Sequence, residues 1–154
     1  MHFIGRAFGL ILSVASAIVC SPFVSPAVAG DVFNLPIDRA MSMSQTNGRL
    51  DGTVKFYFGQ TPHPEVMRRF GNFVANEKTN AVGKTDLSEC AWVFQSALLS
   101  LQKRAHALGA NAVINIHSFY KKEDVSSETE IPCHTGFLMA GIALKGDLVT
   151  VAGK

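Results

Sequence analysis

The sequence predicts an α+β domain, a mostly antiparallel sheet of about four strands covered by one long amphipathic helix. Three observations carry this. Apolar residues recur at steps of three and four from Cys90 to Leu108, the period of a helix with one buried stripe. Val54, Phe56 and Phe58 alternate with Lys55 and Tyr57, the period of a half-buried strand. Two further apolar runs, Ala112–Ile116 and Phe137–Leu144, follow the helix. The order strand, strand, helix, strand, strand places one helix over one face of a sheet.

Length and composition fit one folded domain: 154 residues, 47% hydrophobic and 17% charged. The apolar content is uneven, because Ala7–Gly30 holds no Asp, Glu, Lys or Arg. His2 and Arg6, an apolar run from Ala7 to Val19, Pro22 and Pro26, then Ala27-Val28-Ala29 form the layout of a cleavable export signal. Cleavage is expected after Ala29, giving a signal over residues 1–29 and a single domain over 30–154, periplasmic or secreted. An uncleaved membrane anchor and a lipoprotein attached at Cys20 are the rival readings. The two prolines and the Ala-x-Ala ending weigh against an anchor, so no stable membrane insertion is expected after cleavage. Ile18 and Val19 stand where small residues would precede a lipidated cysteine. Removing residues 1–29 takes out Arg6 and no acid, so 14 Lys and Arg become 13 against 12 acids, a formal charge of +1. That balance offers no clustered basic face for nucleic acid. The run Lys121-Lys122-Glu123-Asp124 cancels itself and reads as a solvated turn.

Within the domain, Leu35-Pro36-Ile37 reads as extended and Asp38–Met41 as a short helix. Pro62 and Pro64 end the strand that contains Phe56. Asn72–Val82 reads as an edge or solvent-facing strand, with Phe73 and Ala75 on one side and Val74 on the other. Asp86 and Glu89 have the spacing of a capping box at the start of the long helix. Gln102, Lys103, Arg104 and His106 fall on its polar side, and Gly109 stands where a left-handed residue closes it. Lys121–Glu130 reads as a polar hairpin between the last two strands.

Two cysteines remain after signal removal, Cys90 in the helix stripe and Cys133 before the last strand. An even count in an exported chain favours a disulfide between them. A metal site is the alternative: Cys133 and His134 with His117 or His63 supply ligand types suited to zinc or copper, without CxxC or HxxxH spacing. Free buried thiols are a third reading. No catalytic constellation is visible, so the domain reads as a non-enzyme without a cofactor. His117 lies in an apolar strand, where a satisfied core or edge histidine is the commoner case, and His106 reads as solvated. A hydrolase built from residues distant in sequence stays open. Gly83-Lys84-Thr85 ends like a phosphate loop, but that loop needs glycine where Lys78 stands, and the bland reading is a glycine turn before a capped helix. Phe119 and Tyr120, with Phe56, Tyr57 and Phe58, could form an aromatic surface for a partner, against the commoner reading as core and strand cover.

Between Lys78 and Asp147 the chain reads KTNAVGKTDLSEC, RAHALGANAVINIHSFYKK and SSETEIPCHTGFLMAGIALKGD. These runs resemble a group of small exported bacterial proteins that go by the label excinuclease ATPase subunit, the A component of excinuclease ABC. That label implies nucleotide-driven DNA repair, for which this chain is too short and lacks a phosphate loop and zinc fingers. The helix followed by Leu108-Gly109-Ala110-Asn111-Ala112-Val113 and the Gly-rich last strand are similar to the YbjQ-like family, described as heavy-metal-binding. The same region is similar to the Rcs envelope-stress sensor lipoprotein, which implies pairing of Cys90 with Cys133. The sensor's second disulfide and its lipid-attachment cysteine have no counterpart here. These resemblances imply a periplasmic, non-catalytic domain that binds an envelope protein or component.

Overall fold

A computed structural model describes residues 30–46 and 48–153, so the expected signal, its cleavage point and Cys20 lie outside the described residues. Among the described residues the architecture is α+β, with six strands in one sheet and two helices. In chain order these are β1 (Asp31–Pro36), α1 (Ile37–Thr46), β2 (Lys55–Phe58), β3 (Val66–Asn80), α2 (Asp86–Leu108), β4 (Ala112–Ser118), β5 (Glu130–Thr135) and β6 (Met139–Val151). A 3-10 turn, Tyr120–Lys122, follows β4.

The sheet is organised around β6, which is buried along most of its length. One edge of β6 pairs antiparallel with β3 from Met139 to Val151. Its other edge pairs with β4 over Leu144–Val149 and with β5 only at His134↔Gly141 and Thr135↔Ala140. The rest of β5 pairs with β1, so β1 and β5 form a ribbon joined to the main sheet by two ladder positions. β2 lies parallel to β4. The expectation of about four strands, mostly antiparallel, is therefore corrected to six strands in a mixed sheet. The parallel pair arises because β3 and α2 intervene between β2 and β4 and return the chain in the same direction, as a parallel neighbour requires.

Helix α2 covers one face. Cys90, Val93, Phe94, Ala97, Leu98, Leu101 and Ala105 are fully buried against Leu35, Val113, Ile116, Ile131, Ile142 and Leu144. Burying each large apolar side chain contributes roughly 1.5–3 kcal/mol, which makes this interface the main source of stability. Gly109 closes the helix at φ 75°. The cap at the other end is one residue earlier than the predicted box: Thr85 is the N-cap, and its Oγ1 accepts from Ser88 N–H at 3.3 Å. Gly83-Lys84-Thr85 is thus a turn and a cap, with Gly83 at φ 74° and Lys84 Nζ donating to Asn80 O at 2.9 Å. Glu89 is buried instead of capping, and its Oε2 has no hydrogen-bond partner among the described residues. Gln102 is also buried and accepts from Asp51 N–H at 3.3 Å. Helix α1 packs beside α2, where Gln95 donates to Ser44 O at 3.2 Å. The buried arc of α2 is wider than one stripe because α1, β1 and β3 all press on it.

The edge strand is longer than expected but has the predicted sidedness: Ala75 is buried, Phe73 half-buried and Val74 exposed. Bulges near Arg68 and Gly71 interrupt its pairing and blunt the edge. The polar hairpin predicted over 121–130 ends sooner, because β5 begins at Glu130.

Candidate functional site

The alternation of β5 decides the fate of its two candidate residues. Ile131, Cys133 and Thr135 are buried and His134 points to the other face. Cys133 meets Cys90 with Cα atoms 5.9 Å apart and the two are disulfide-bonded, both fully buried. The bond ties α2 to the β1–β5 ribbon. His134 stacks on the Tyr120 ring, centroids 3.5 Å apart, with Lys121 Nζ 5.7 Å from the same ring. Burial first, and the Lys121 charge second, hold the His134 imidazole below its ordinary range.

His117 lies elsewhere, on β4. A register shift between Ile114 and His117, with Asn115 at φ 53°, breaks the ladder beside it. Its Nδ1 lies 2.7 Å from Asn115 O and its Nε2 lies 2.7 Å from Asp124 Oδ1. Lys145 Nζ donates to the same Oδ1 at 3.0 Å. Those two hydrogen bonds, Lys145's first, hold the Asp124 carboxyl below the usual carboxylate range. His117 is thus a buried histidine with each ring nitrogen facing an oxygen of the protein. His134, His117 and Cys133 are not brought together, and among the described residues no three His, Cys, Asp or Glu side chains are grouped to hold one ion. His106 is exposed as predicted, but its Nε2 reaches Thr53 Oγ1 at 2.8 Å. Thr53 in turn donates to Asp51, and these bonds keep the Asp51 carboxyl low.

The face of the sheet opposite α2 carries a concavity of about 690 Å³. Tyr57, Pro62, Pro64 and Val151 form apolar walls, and Lys55 and His63 supply polar groups. The volume and the mixed lining fit the general pattern of ligand sites. His63 Nδ1 lies 2.8 Å from Pro64 O. A carbonyl only accepts, so in the neutral ring the proton sits on Nδ1 and Nε2 keeps its lone pair. The ring meets Tyr57 edge-on, centroids 5.7 Å apart. A polar hollow of about 230 Å³ adjoins at His63, lined also by Gln60, Asn115, Arg69 and Asp147. Arg69 and Asp147 stand 4.0 Å apart.

The aromatic residues do not form one surface. Phe58 is buried and stacks on Phe94, with centroids 5.8 Å apart, and Phe56 packs on the same core. Tyr57 faces the groove, Phe119 lies under Lys145 at 4.4 Å, and Tyr120 stacks on His134. A different apolar surface escapes the sequence reading. Phe137 and Leu138, expected in a strand, sit instead at the turn between β5 and β6, 92% and 59% exposed. Gly136 at the end of a short alternating run is the signal that a turn stands there.

Comparison of the chain with protein-family models, curated proteins and solved structures found no match.

Proposed function

We propose that this chain is an exported, non-catalytic domain that binds an envelope protein through the groove lined by Tyr57 and His63. The observation that carries the reading is the buried Cys90–Cys133 bond, since such bonds persist in oxidising compartments and are rare where thiols are kept reduced. Cleavage after Ala29 would leave every described strand and helix intact, because β1 begins at Asp31. Binding is favoured over chemistry by the way buried polar groups are used: His117 has both ring nitrogens committed to Asn115 and Asp124. The groove instead offers apolar walls with a few polar contacts, suited to recognition of an extended segment. The resemblance to small exported proteins and to the Rcs sensor points the same way.

The test expresses the full chain in a bacterium, fractionates the cells and determines the N-terminus by mass spectrometry. A photocrosslinking residue is placed at Lys55 or Pro62 in the groove, and at Lys103 on the solvent side of α2 as control. The expected result is a periplasmic chain starting at Gly30, with one envelope protein captured from the groove positions and lost on Tyr57→Ala. An unprocessed cytosolic chain, or capture no stronger at the groove than at Lys103, overturns the reading.

A further inference from the structure

Phe137 and Leu138 occupy the two central positions of a turn closed by Gly136 N–H donating to Met139 O at 2.9 Å. Turn centres are ordinarily taken by Gly, Asn, Asp, Ser or Pro. Here the outermost side chains are a phenylalanine 92% exposed and a leucine 59% exposed. Val82 joins them, since Ala81 N–H donates to Leu138 O at 2.9 Å, and Val32 and Met139 line an adjoining hollow. All three are about half exposed, so five large apolar side chains gather in water at one end of the sheet. Monomeric proteins rarely leave such a cluster without a use for it.

We infer that this tip docks the domain onto the surface of an anionic lipid bilayer. Its shape favours lipid: Phe137 projects, and a bilayer accepts a projecting apolar group without a preformed pocket. Lys78, Lys84, Lys121 and Lys122 stand around the same end, and none is ion-paired among the described residues. Lys78 lies opposite Gly141, and Lys121 lines the hollow with Met139. Asp31, Asp86 and Glu123 partly offset them, so apolar insertion supplies most of the affinity and the lysines favour negative headgroups. Gly30, which ends the uncharged stretch of the sequence, lines the same hollow, so the mature N-terminus expected after cleavage lies at this end of the sheet.

The experiment sediments the chain, in the form its host produces and with its N-terminus determined, with vesicles of phosphatidylethanolamine and phosphatidylglycerol and with phosphatidylcholine vesicles. Wild type is expected in the pellet with the anionic vesicles and less so with phosphatidylcholine. In a Trp92→Phe background, F137W introduces an indole whose emission shifts to the blue on binding. Phe137→Ser with Leu138→Ser is expected to weaken partitioning by at least about tenfold. These side chains are exposed, so the melting temperature stays the same and the loss reports on docking. Wild type remaining in the supernatant, as a protein-only partner would predict, overturns the inference. So does a serine variant that sediments like wild type, as an uncleaved apolar segment would cause. Tyr57→Ala is expected to bind vesicles normally, so failure of the groove reading and failure of this one are separable.

Discussion

Replacing both Cys90 and Cys133 by alanine tests the covalent tie between α2 and the β1–β5 ribbon. The bond spans a sequence separation of 43. In the chain-entropy account, closing a loop of that size removes about 13 cal/mol/K from the unfolded ensemble, or about 4 kcal/mol at 25 °C. Against a typical domain stability of about 5–15 kcal/mol, this is a large fraction. For a domain of about 120 residues it corresponds to a melting temperature lower by about 15 °C. The loss is also expected to be local. β5 is held to β6 at two ladder positions, so without the sulfur bridge the β1–β5 ribbon depends on those and on its apolar contacts with α2. Hydrogen exchange in the double variant is therefore expected to rise first at Leu35, Ile131 and Cys133→Ala, well before the β3–β6 ladder. The assays are thermal and denaturant unfolding of the two proteins and residue-level exchange at neutral pH. Denatured wild type should take up no alkylating reagent at these positions until reduced. Two alkylated cysteines without reductant, or a melting temperature unchanged within about 3 °C, refutes the reasoning.

Glu89 is buried with one carboxylate oxygen unpartnered among the described residues, and desolvation, helped by Asp86, raises its carboxyl above the ordinary glutamate range. The folded state then binds this proton more tightly than the unfolded state, so stability falls as pH rises from the unfolded value through the raised folded one. Glu89→Gln is expected to melt higher than wild type at pH 7, with the gap closing in acid, where wild type is neutral too. His134 should titrate by NMR below an unstructured histidine, and Lys121→Gln should move it part of the way back, since burial, the larger cause, persists. Because its folded value is depressed, the contribution of the Tyr120 stack is present at neutral pH and is lost as pH falls through the histidine range. Gly146→Ala places a Cβ 2.6 Å from Val113 Cγ1 and 3.1 Å from Ile116 Cγ1, and should cost about 1–3 kcal/mol in denaturant unfolding.

The parts of the fold legible in the sequence are those whose signal is local. Helix α2 is legible in its steps of three and four and strand β4 in its apolar run, and the disulfide between Cys90 and Cys133 is the favoured of the three readings open to those cysteines. What stays hidden depends on partners far along the chain. β5 offers three alternating positions in Glu130–Thr135, one of them a cysteine and another a threonine, with Pro132 between. It becomes a strand because β1 lies beside it. Gln102 and Glu89 look solvent-facing on a helical wheel, yet the helix is enclosed by β3, α1 and the Leu50 loop. The groove is invisible for a similar reason: Tyr57, His63 and Val151 meet only once β2, the segment after it and the end of β6 are laid side by side. His117 reads as a core or edge histidine and is buried on β4, but Asp124, which meets its Nε2, comes from the following turn and is itself held by Lys145 of β6.

The two proposed surfaces constrain each other through β6. The exposed tip adjoins Met139 and the groove is lined by Val151, the two ends of a 13-residue strand. At about 3.3 Å per residue the separation is roughly 40 Å, greater than the thickness of a headgroup layer. A domain seated on lipid by Phe137 and Leu138 would therefore hold Tyr57 and His63 well clear of the bilayer, open to a partner in the aqueous space. The opposite arrangement, in which the partner covers the tip, would leave the groove free in the complex. Solvent protection separates the two: with vesicles present, exchange at Phe137–Met139 should slow while the Pro62–Glu65 loop remains as accessible as in free protein. Protection of that loop by vesicles alone would mean that the groove, not the tip, meets the membrane, and both assignments would fall together.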